Sequence, residues 1–364
     1  MNIKKVLTAN LEPGMIAAEA AYTYTNHLVI QSNTVLTEEI IEKLKYYAVK
    51  AVKVYIPEEE IIEKPAPATN TGASTYFKRV QNTEEFSQFE TKFSTCVDSF
   101  KHSLNDIVTK SADGLVDNML NDVKSLLKKS RNPLHLLDMM QCMRGYDDMT
   151  YAHSMNVALI CNVIGTWLHM SEEDLNVLTI CGMLHDIGKL KIPAEIITKP
   201  GKLTEEEFNI VRNHPRYGYE ILKDKALDRR VILAALQHHE RYNGSGYPYQ
   251  LPGSKMEYFS SIVAVADVYD AMTSNRCYRK GICPFPVIEL MEREKDYYEP
   301  SVLLLFVERT IEAYINTEVL LSNNEKGRVI LLNKSFISRP VVMSDSGKTY
   351  DLSKDPDLQI EALI

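Results

Sequence analysis

The sequence lacks the long apolar segments that would place it in a membrane or route it through one. Its 364 residues contain no run of eighteen apolar residues, which predicts that no helix spans a bilayer. The first residues lead directly to Asn10, Glu12 and Pro13, so the apolar stretch of a secretory signal is missing. The six cysteines include no Cys-x-x-Cys pair, and we interpret them as reduced thiols. These absences predict a cytoplasmic protein.

The chain also lacks a surplus of positive charge. Its formal net charge is −8, which argues against broad binding to the backbone of DNA or RNA. A small anionic substrate is still compatible with this charge, because metal ions and a few arginines can reverse the field inside one pocket. At 45% apolar and 25% charged residues, the composition is typical of a globular protein, and 364 residues are enough for more than one domain.

Periodicity and breakers divide the chain into four segments, and the fold class they predict is mainly α. Residues 1–63 predict a small α+β accessory module, in which Thr37 caps a helix and residues 51–56 alternate like a strand. Residues 64–75 have the composition of a linker. Residues 76–316 predict a helical domain, and residues 317–364 predict a β-rich C-terminal segment.

One apolar stripe in the helical domain has two interpretations. Between residues 86 and 107 the apolar residues recur at intervals of three or four, which is one face of a helix: Phe86, Phe89, Phe93, Val97, Phe100, Leu104 and Ile107. The stripe either packs within its own domain or forms the seam of a homodimer. Intrachain packing is the favoured interpretation.

Histidine and aspartate residues carry the strongest chemical signal in the sequence. His185 and Asp186 are adjacent, and an ordered set of possible ligands lies on either side of them: His153, His214, His238, His239 and Asp267. An imidazole and a carboxylate that are adjacent can serve two metal ions, with the carboxylate bridging both. Two ions about 3.5–4 Å apart are the usual equipment for cleaving phosphate esters. The set as a whole predicts a metal centre.

Local spacing refines this prediction. Lys189 lies three residues after Asp186, so one helix end can present an imidazole, a carboxylate and an ammonium group together. Adjacent helical residues diverge by about 100°, so His238 and His239 can reach one ion only where their helix ends. Asp267 and Asp270 share one helix face. We interpret Asp267 as a ligand and Asp270 as a supporting carboxylate.

These motifs resemble those of the HD-GYP family, a branch of the HD-domain metal-dependent phosphohydrolases. The matching segments cover about residues 145–316 and are His153–Ala158, His185–Lys189, His214-Pro215, His238–Glu240, Asn243–Pro248 and Ala266–Thr273, followed by Arg276, Tyr278 and Arg279. The resemblance implies a helical HD-domain bundle that hydrolyses cyclic di-GMP at a centre of two or three metal ions.

The resemblance also implies a role for each matching residue. His153, His185, Asp186 and Asp267 would hold one ion, and Asp186, His214, His238 and His239 would hold the second. A third ion in some members needs a glutamate four residues before the first histidine, where this sequence has Met149, a poor ligand for hard ions. The expected cofactors are therefore two divalent ions, iron or manganese, and no organic cofactor.

Four further residues are expected to contact the substrate. Lys189 would neutralise a phosphate oxygen, Arg276 and Arg279 would hold the phosphate that is not cleaved, and Tyr247 would line the pocket. The expected product is linear pGpG, with slow conversion to GMP. Two alternatives stay open, namely a mixed GMP–AMP cyclic dinucleotide as substrate, or a module that binds the nucleotide with little turnover.

Overall fold

The computed structural model describes two compact units, residues Met1–Thr69 and Asn70–Ile364. The residues described are 2–8, 11–22, 28–46, 49, 51–56, 73–110, 112, 114–143, 149–199, 201–274, 283–333 and 336–364. Most of the expected linker, 64–75, lies outside them, although a helix already begins at Ala73.

The first unit is a small α+β fold. Its elements are β1 (Asn2–Leu7), β2 (Ile16–Ala17), β3 (Ala21–Tyr22), β4 (Leu28–Ile30), α1 (Glu38–Tyr46) and β5 (Ala51–Ile56). An antiparallel sheet has the order β1-β5-β2, and β3 pairs with β4. The Thr37 hydroxyl accepts a hydrogen bond of 3.3 Å from the Ile40 amide, as its predicted capping role requires. Leu36, Leu44 and Val54 lie in a separate apolar core.

The second unit is built mainly of helices. They are α2 (Ala73–Gln81), α3 (Glu84–Thr109), α4 (Leu115–Leu127), α5 (Pro133–Cys142), α6 (Met149–Trp167), α7 (Glu172–Leu184), α8 (Ala194–Ile197), α9 (Glu205–Val211), α10 (His214–Leu222), α11 (Arg229–Gln237), α12 (Tyr258–Thr273), α13 (Pro284–Arg293) and α14 (Pro300–Ala313). Short 3₁₀ helices span Ile187–Lys191, Gly253–Lys255 and Lys295–Tyr297. Within the described residues, none of the helices combines the length and the apolar character needed to cross a bilayer.

Two glycines allow the backbones around the centre of this unit to touch. A Cβ atom on Gly182 of α7 would lie 2.7 Å from the Ala158 Cα of α6, so α6 and α7 pack with their backbones in contact. A Cβ atom on Gly188 would lie 1.9 Å from the His214 carbonyl oxygen. Gly188 does not have a positive φ, so a left-handed turn is not the reason for a glycine here. The position excludes a side chain because the turn after α7 lies directly on the start of α10.

The apolar stripe of residues 86–107 is buried inside its own chain. All seven of its side chains lie on α3, and all seven are buried in the main core of the unit. A homodimer seam on this face would need exposed apolar side chains. The packing therefore corresponds to the intrachain interpretation.

The C-terminal segment forms a five-stranded antiparallel sheet of order β10-β6-β7-β8-β9. Its strands are β6 (Glu318–Leu321), β7 (Lys326–Leu331), β8 (Val341–Ser344), β9 (Thr349–Asp351) and β10 (Ile360–Leu363). Val319, Leu321 and Val329 belong to the same core as the helices. Arg339 bridges the two parts, since its Nη2 lies 2.9 Å from Glu289 Oε1 of α13. The change at residue 317 is thus a change of secondary structure inside one compact unit.

A buried carboxyl group joins three parts of the helical body. Asp138 on α5 is 4% exposed, and its oxygens accept hydrogen bonds from the hydroxyls of Tyr76 on α2, at 2.6 Å, and Tyr314 after α14, at 3.5 Å. Burial disfavours the charged form and raises the pKa of Asp138 from 3.8 to about 7, against the opposing effect of the two hydroxyls. This carboxyl group therefore titrates near neutrality in the native state.

We predict that Asp138 makes the protein less stable as the pH rises toward 7. Folding raises the pKa of this carboxyl group, so the native state holds the proton more tightly than the unfolded state. The resulting stability is fully present below the unfolded-state pKa and is lost as the pH rises through the native-state pKa. The loss is about 1.4 kcal/mol for each unit by which folding raises the pKa. The neutral Asp138→Asn variant should gain stability relative to the wild type between about pH 4 and pH 7. Above that range the difference should be constant.

Urea unfolding at several pH values measures this difference. The exposed Asp98 of α3 provides the control. The difference in unfolding free energy between Asp98→Asn and the wild type should not change with pH in the way predicted for Asp138→Asn. A wild type and Asp138→Asn pair separated by the same free energy at pH 5 and pH 8 would contradict the assignment.

Candidate metal centre

The fold brings all seven predicted ligands to one place. They come from α6 (His153), the turn after α7 (His185 and Asp186), the first turn of α10 (His214), the end of α11 (His238 and His239) and α12 (Asp267). Six of the seven are buried, and His239 is half-buried. Residues separated by more than a hundred positions in the chain thus meet in the interior of the helical body.

Asp186 lies between two groups of imidazoles. Its Oδ1 atom is 3.2 Å from His214 Nε2 and 3.7 Å from His238 Nε2. Its Oδ2 atom is 3.3 Å from His185 Nε2 and 3.9 Å from His153 Nε2. Each oxygen of one carboxylate therefore faces a different group, which is the arrangement of a bridging ligand.

The possible ligand atoms form two overlapping clusters. Within each cluster the atoms lie within 4.8 Å of one another, and the clusters are Asp186, His214, His238 and His239, and His153, His185 and Asp186. Asp267 adjoins both, because its Oδ1 is 2.9 Å from His153 Nε2 and its Oδ2 is 3.9 Å from His239 Nδ1.

Backbone carbonyls fix the orientation of three imidazoles. Each donates its Nδ1 proton to a carbonyl of the preceding turn: His185 to Gly182 at 2.7 Å, His214 to Val211 at 2.7 Å and His238 to Ala234 at 3.1 Å. A carbonyl can only accept, so in the neutral rings each Nε2 atom carries a lone pair. These contacts aim the lone pairs at Asp186.

The lone pairs converge on one another without a donor between them. His214 Nε2 and His238 Nε2 are 3.1 Å apart, and both also face Asp186 Oδ1. The buried His185 Nε2 and Asp186 Oδ1 atoms make no hydrogen bond. Acceptors at this distance repel one another unless a cation lies between them. The donor set therefore fits a metal ion.

The protonation states are those of metal ligands. Burial lowers the pKa of His238 and of His239 well below the usual value, and neighbouring imidazoles add to the effect, so both rings are neutral at pH 7. Burial opposes ionisation of Asp186, but the Lys189 ammonium group and the His185 imidazole outweigh it and hold its pKa well below the usual range. Burial likewise opposes ionisation of Asp267, and His153 outweighs it to give a lowered pKa.

The loop after α11 packs against the centre. Glu240 is fully buried, and its carboxylate accepts hydrogen bonds from the amides of Tyr249, at 2.7 Å, and Leu251, at 3.0 Å. A Cβ atom on Gly246 would lie 2.3 Å from the Arg241 amide nitrogen, so the loop closes on the backbone just after the histidine pair. Tyr247 is thereby stacked on His239, with ring centroids 4.7 Å apart.

Asp270 supports the centre from the same helix as Asp267. Its Oδ2 accepts a hydrogen bond of 2.6 Å from His153 Nδ1, and its Oδ1 accepts bonds from Asn156 and Ser274, at 3.0 and 2.9 Å. This contact holds the His153 ring with Nε2 toward Asp267. The spacing of Asp267 and Asp270 on one helix face was the signal in the sequence.

The other predicted site residues differ in what the structure says of them. Lys189 Nζ lies 2.5 Å from Asp186 Oδ2 and is 21% exposed. Met149 is the first residue of α6, one turn before His153. Arg276 and Arg279 lie outside the described residues. Sequence reasoning missed Glu240 as the anchor of the loop, because its partners are backbone amides that the sequence alone does not locate.

The helical region of the chain is similar to several known proteins. A family model described as HD domain matches residues 115–302. The chain is 36% identical to a cyclic di-GMP phosphodiesterase of Pseudomonas aeruginosa over 202 residues, and this segment covers 55% of this chain and 47% of that protein. It is 42% identical over 139 residues to the cyclic di-GMP phosphodiesterase response regulator RpfG of Xanthomonas campestris, covering 37% and 36%. A 3'3'-cGAMP-specific phosphodiesterase of Vibrio cholerae is 35% identical over 164 residues, covering 44% and 31%.

This chain therefore belongs to the HD-domain family. The predicted resemblance to the HD-GYP branch and the predicted mainly α fold class are confirmed. The HDG"Y"P protein Bd1817 of Bdellovibrio bacteriovorus has a similar fold at 15% identity, with a TM-score of 0.50 over 84% of this chain and 98% of that one. The chain spans less than half the length of each of the three curated relatives. Family and side-chain cluster together indicate a divalent metal site.

We predict that Asp186→Ala loses bound metal and activity together while the helices remain. Both clusters share this carboxylate, so its removal takes a ligand from each. Elemental analysis should show a large loss of metal per chain, and far-ultraviolet circular dichroism should be unchanged. The exposed Asp224 offers a matched control, and Asp224→Ala should keep its metal. An Asp186→Ala protein with full metal content would show that Asp186 is not a ligand.

Proposed function

We propose that this protein hydrolyses cyclic di-GMP to linear pGpG, with slow further conversion to GMP, in second-messenger signalling. The observation that carries the proposal is the convergence of the His214, His238 and Asp186 acceptor atoms in a buried site. Relatives of the HD-domain region that are named cyclic di-GMP phosphodiesterases support the choice of substrate.

We assign two divalent ions to the centre. His153, His185, Asp186 and Asp267 would hold one ion, and Asp186, His214, His238 and His239 would hold the other. Mixed imidazole and carboxylate ligands suit iron or manganese. Bound ions of this kind supply Lewis acidity and make hydroxide available near neutral pH. Met149 at the start of α6 adds no hard ligand, which supports two ions rather than three.

The chain's own residues prepare the site for a phosphodiester. Asp270 holds the His153 ring in place, and Tyr247 covers His239. Lys189 carries a compact positive charge at the partly exposed side of Asp186, where it would neutralise a non-bridging phosphate oxygen as negative charge develops. Arg276 and Arg279 remain the sequence-based candidates for the phosphate that is not cleaved.

A mixed GMP–AMP cyclic dinucleotide is the second candidate substrate. Two relatives of this region, 35% and 38% identical, are named 3'3'-cGAMP-specific phosphodiesterases. The proposed metal centre contacts phosphate rather than a base, so it serves either substrate.

A product assay with both substrates tests the proposal. Protein purified without oxygen and supplied with Mn²⁺ or Fe²⁺ is incubated with cyclic di-GMP or with 3'3'-cGAMP, and the products are separated by chromatography. We expect faster loss of cyclic di-GMP and accumulation of pGpG before GMP. Faster turnover of the mixed dinucleotide would favour the second candidate. Binding of cyclic di-GMP without turnover would replace the enzyme by a nucleotide-binding module.

We predict that Lys189→Ala keeps its metal but turns over slowly. Loss of one positive group that acts on developing charge typically lowers kcat about 100-fold or more. Lys191, in the same 3₁₀ helix but exposed, is the matched control, and Lys191→Ala should keep wild-type kcat. Steady-state kinetics and metal analysis of the three proteins check the prediction. Equal kcat in Lys189→Ala and the wild type would remove Lys189 from the mechanism.

A further inference from the structure

Two arginines next to the loop beside the candidate metal centre have no acidic partner among the described residues. Arg241 follows the histidine pair and Glu240, and Arg212 lies two residues before His214. In the described part of the chain, neither guanidinium group forms an ion pair. By contrast, Arg230 lies 2.7 Å from Asp174, and Arg339 lies 2.9 Å from Glu289. Among the described residues, no acidic side chain therefore neutralises the two guanidinium groups.

Tyr247 connects these two arginines with the metal ligands. The guanidinium carbon of Arg212 lies 4.8 Å from the centroid of the Tyr247 ring, which itself stacks on His239. Arg241 adjoins the same loop through its backbone, because a Cβ atom on Gly246, the residue before Tyr247, would lie 2.3 Å from the Arg241 amide nitrogen. Both arginines are thus next to the loop that carries Tyr247.

Arg241 has a donor group without an acceptor in the part of the chain that the structure describes. Its Nη1 atom is buried and makes no hydrogen bond to any described residue. The guanidinium carbon lies 5.9 Å from the centroid of the buried Tyr298 ring. Leaving a buried charged donor without an acceptor costs free energy, so an anionic ligand that supplies the acceptor would bind here with advantage.

The chemistry of a stacked arginine selects phosphate as that ligand. A guanidinium group lying over an aromatic ring keeps its N–H edge available, and this edge matches two oxygens of a phosphate. Arg212 reaches the metal ligands through Tyr247 rather than by direct contact. It is therefore placed for a second phosphate beside the one at the centre, and a cyclic dinucleotide carries two phosphates.

We propose that Arg212 and Arg241 bind the phosphodiester of the substrate that is not being cleaved, in addition to the sequence-predicted Arg276 and Arg279. This inference rests on the proposed function, since it takes the metal centre as the place of the scissile phosphate. The subsite gives selectivity for a substrate with two phosphodiesters over one with a single phosphodiester.

Two substrates separate this role from a structural one. Cyclic di-GMP has a second phosphate, and bis(p-nitrophenyl) phosphate has only the scissile one. For Arg212→Gln and for Arg241→Gln, the ratio of kcat/KM for cyclic di-GMP to kcat/KM for bis(p-nitrophenyl) phosphate should fall about tenfold or more, as expected for one lost charge-assisted hydrogen bond. Most of the change should appear in KM for cyclic di-GMP.

Arg229→Gln is the matched control. Arg229 is exposed at the start of α11, the helix whose other end leads to His238. The ratio of the two kcat/KM values for Arg229→Gln should equal the wild-type ratio. Thermal melting shows whether the Arg241→Gln variant folds. If it does not fold, Arg212→Gln still tests the proposal, because Arg212 is exposed. A ratio unchanged in Arg212→Gln, or an equal loss on both substrates, overturns the subsite.

Binding measurements distinguish failure of this inference from failure of the proposed function. If the metal-loaded wild type binds cyclic di-GMP without cleaving it, the proposed function falls, and a loss of affinity of about tenfold in Arg212→Gln still supports the subsite. If Arg212→Gln binds cyclic di-GMP as tightly as the wild type does, the subsite proposal is overturned. If the wild type neither binds nor cleaves cyclic di-GMP, both proposals fall.

Discussion

The repulsion among buried acceptor atoms around Asp186 is the constraint on which the rest of the structure depends. The Nε2 atoms of His214 and His238 face each other at 3.1 Å because the Nδ1–H group on the other side of each ring donates a hydrogen bond to a backbone carbonyl. Such an arrangement is unfavourable in a protein interior without a positive charge among the acceptors. The helices around it are packed tightly enough to hold it, with glycines at the closest approaches. Stability and chemistry therefore pull in opposite directions at this point of the fold, as at many active sites.

The ligands could be predicted from the sequence because their chemistry is written in residue type and order. His185-Asp186 and His238-His239 are rare juxtapositions, and their positions beside turn residues indicated helix ends. The supporting shell was less accessible. Asp270 could be placed on the helix face of Asp267, but its hydrogen bond to His153 joins residues 117 positions apart in the chain. Glu240 lies in a matching motif segment, but neither its partners nor those of Arg241 could be predicted, because the folding of the loop decides which groups surround them.

The limits of prediction in the fold have similar causes. The stripe on α3 fixed a helix and its buried face, but periodicity does not say which chain buries that face. Gly188 shows the same limit, because a glycine needed for close approach looks in the sequence like a glycine needed for a turn. What the sequence left open was decided by contacts between distant segments.

One such contact closes the second unit on itself. Arg79 of α2, the first helix of this unit, donates a hydrogen bond of 2.7 Å to the carbonyl oxygen of Ile364, which lies 285 residues further along the chain. The beginning and the end of the unit are therefore neighbours in space. Closing a loop of this length costs conformational entropy, and the packing of the helices between its ends offsets that cost. Because α2 also packs against β10, fraying of the first helix of the unit would loosen its last strand.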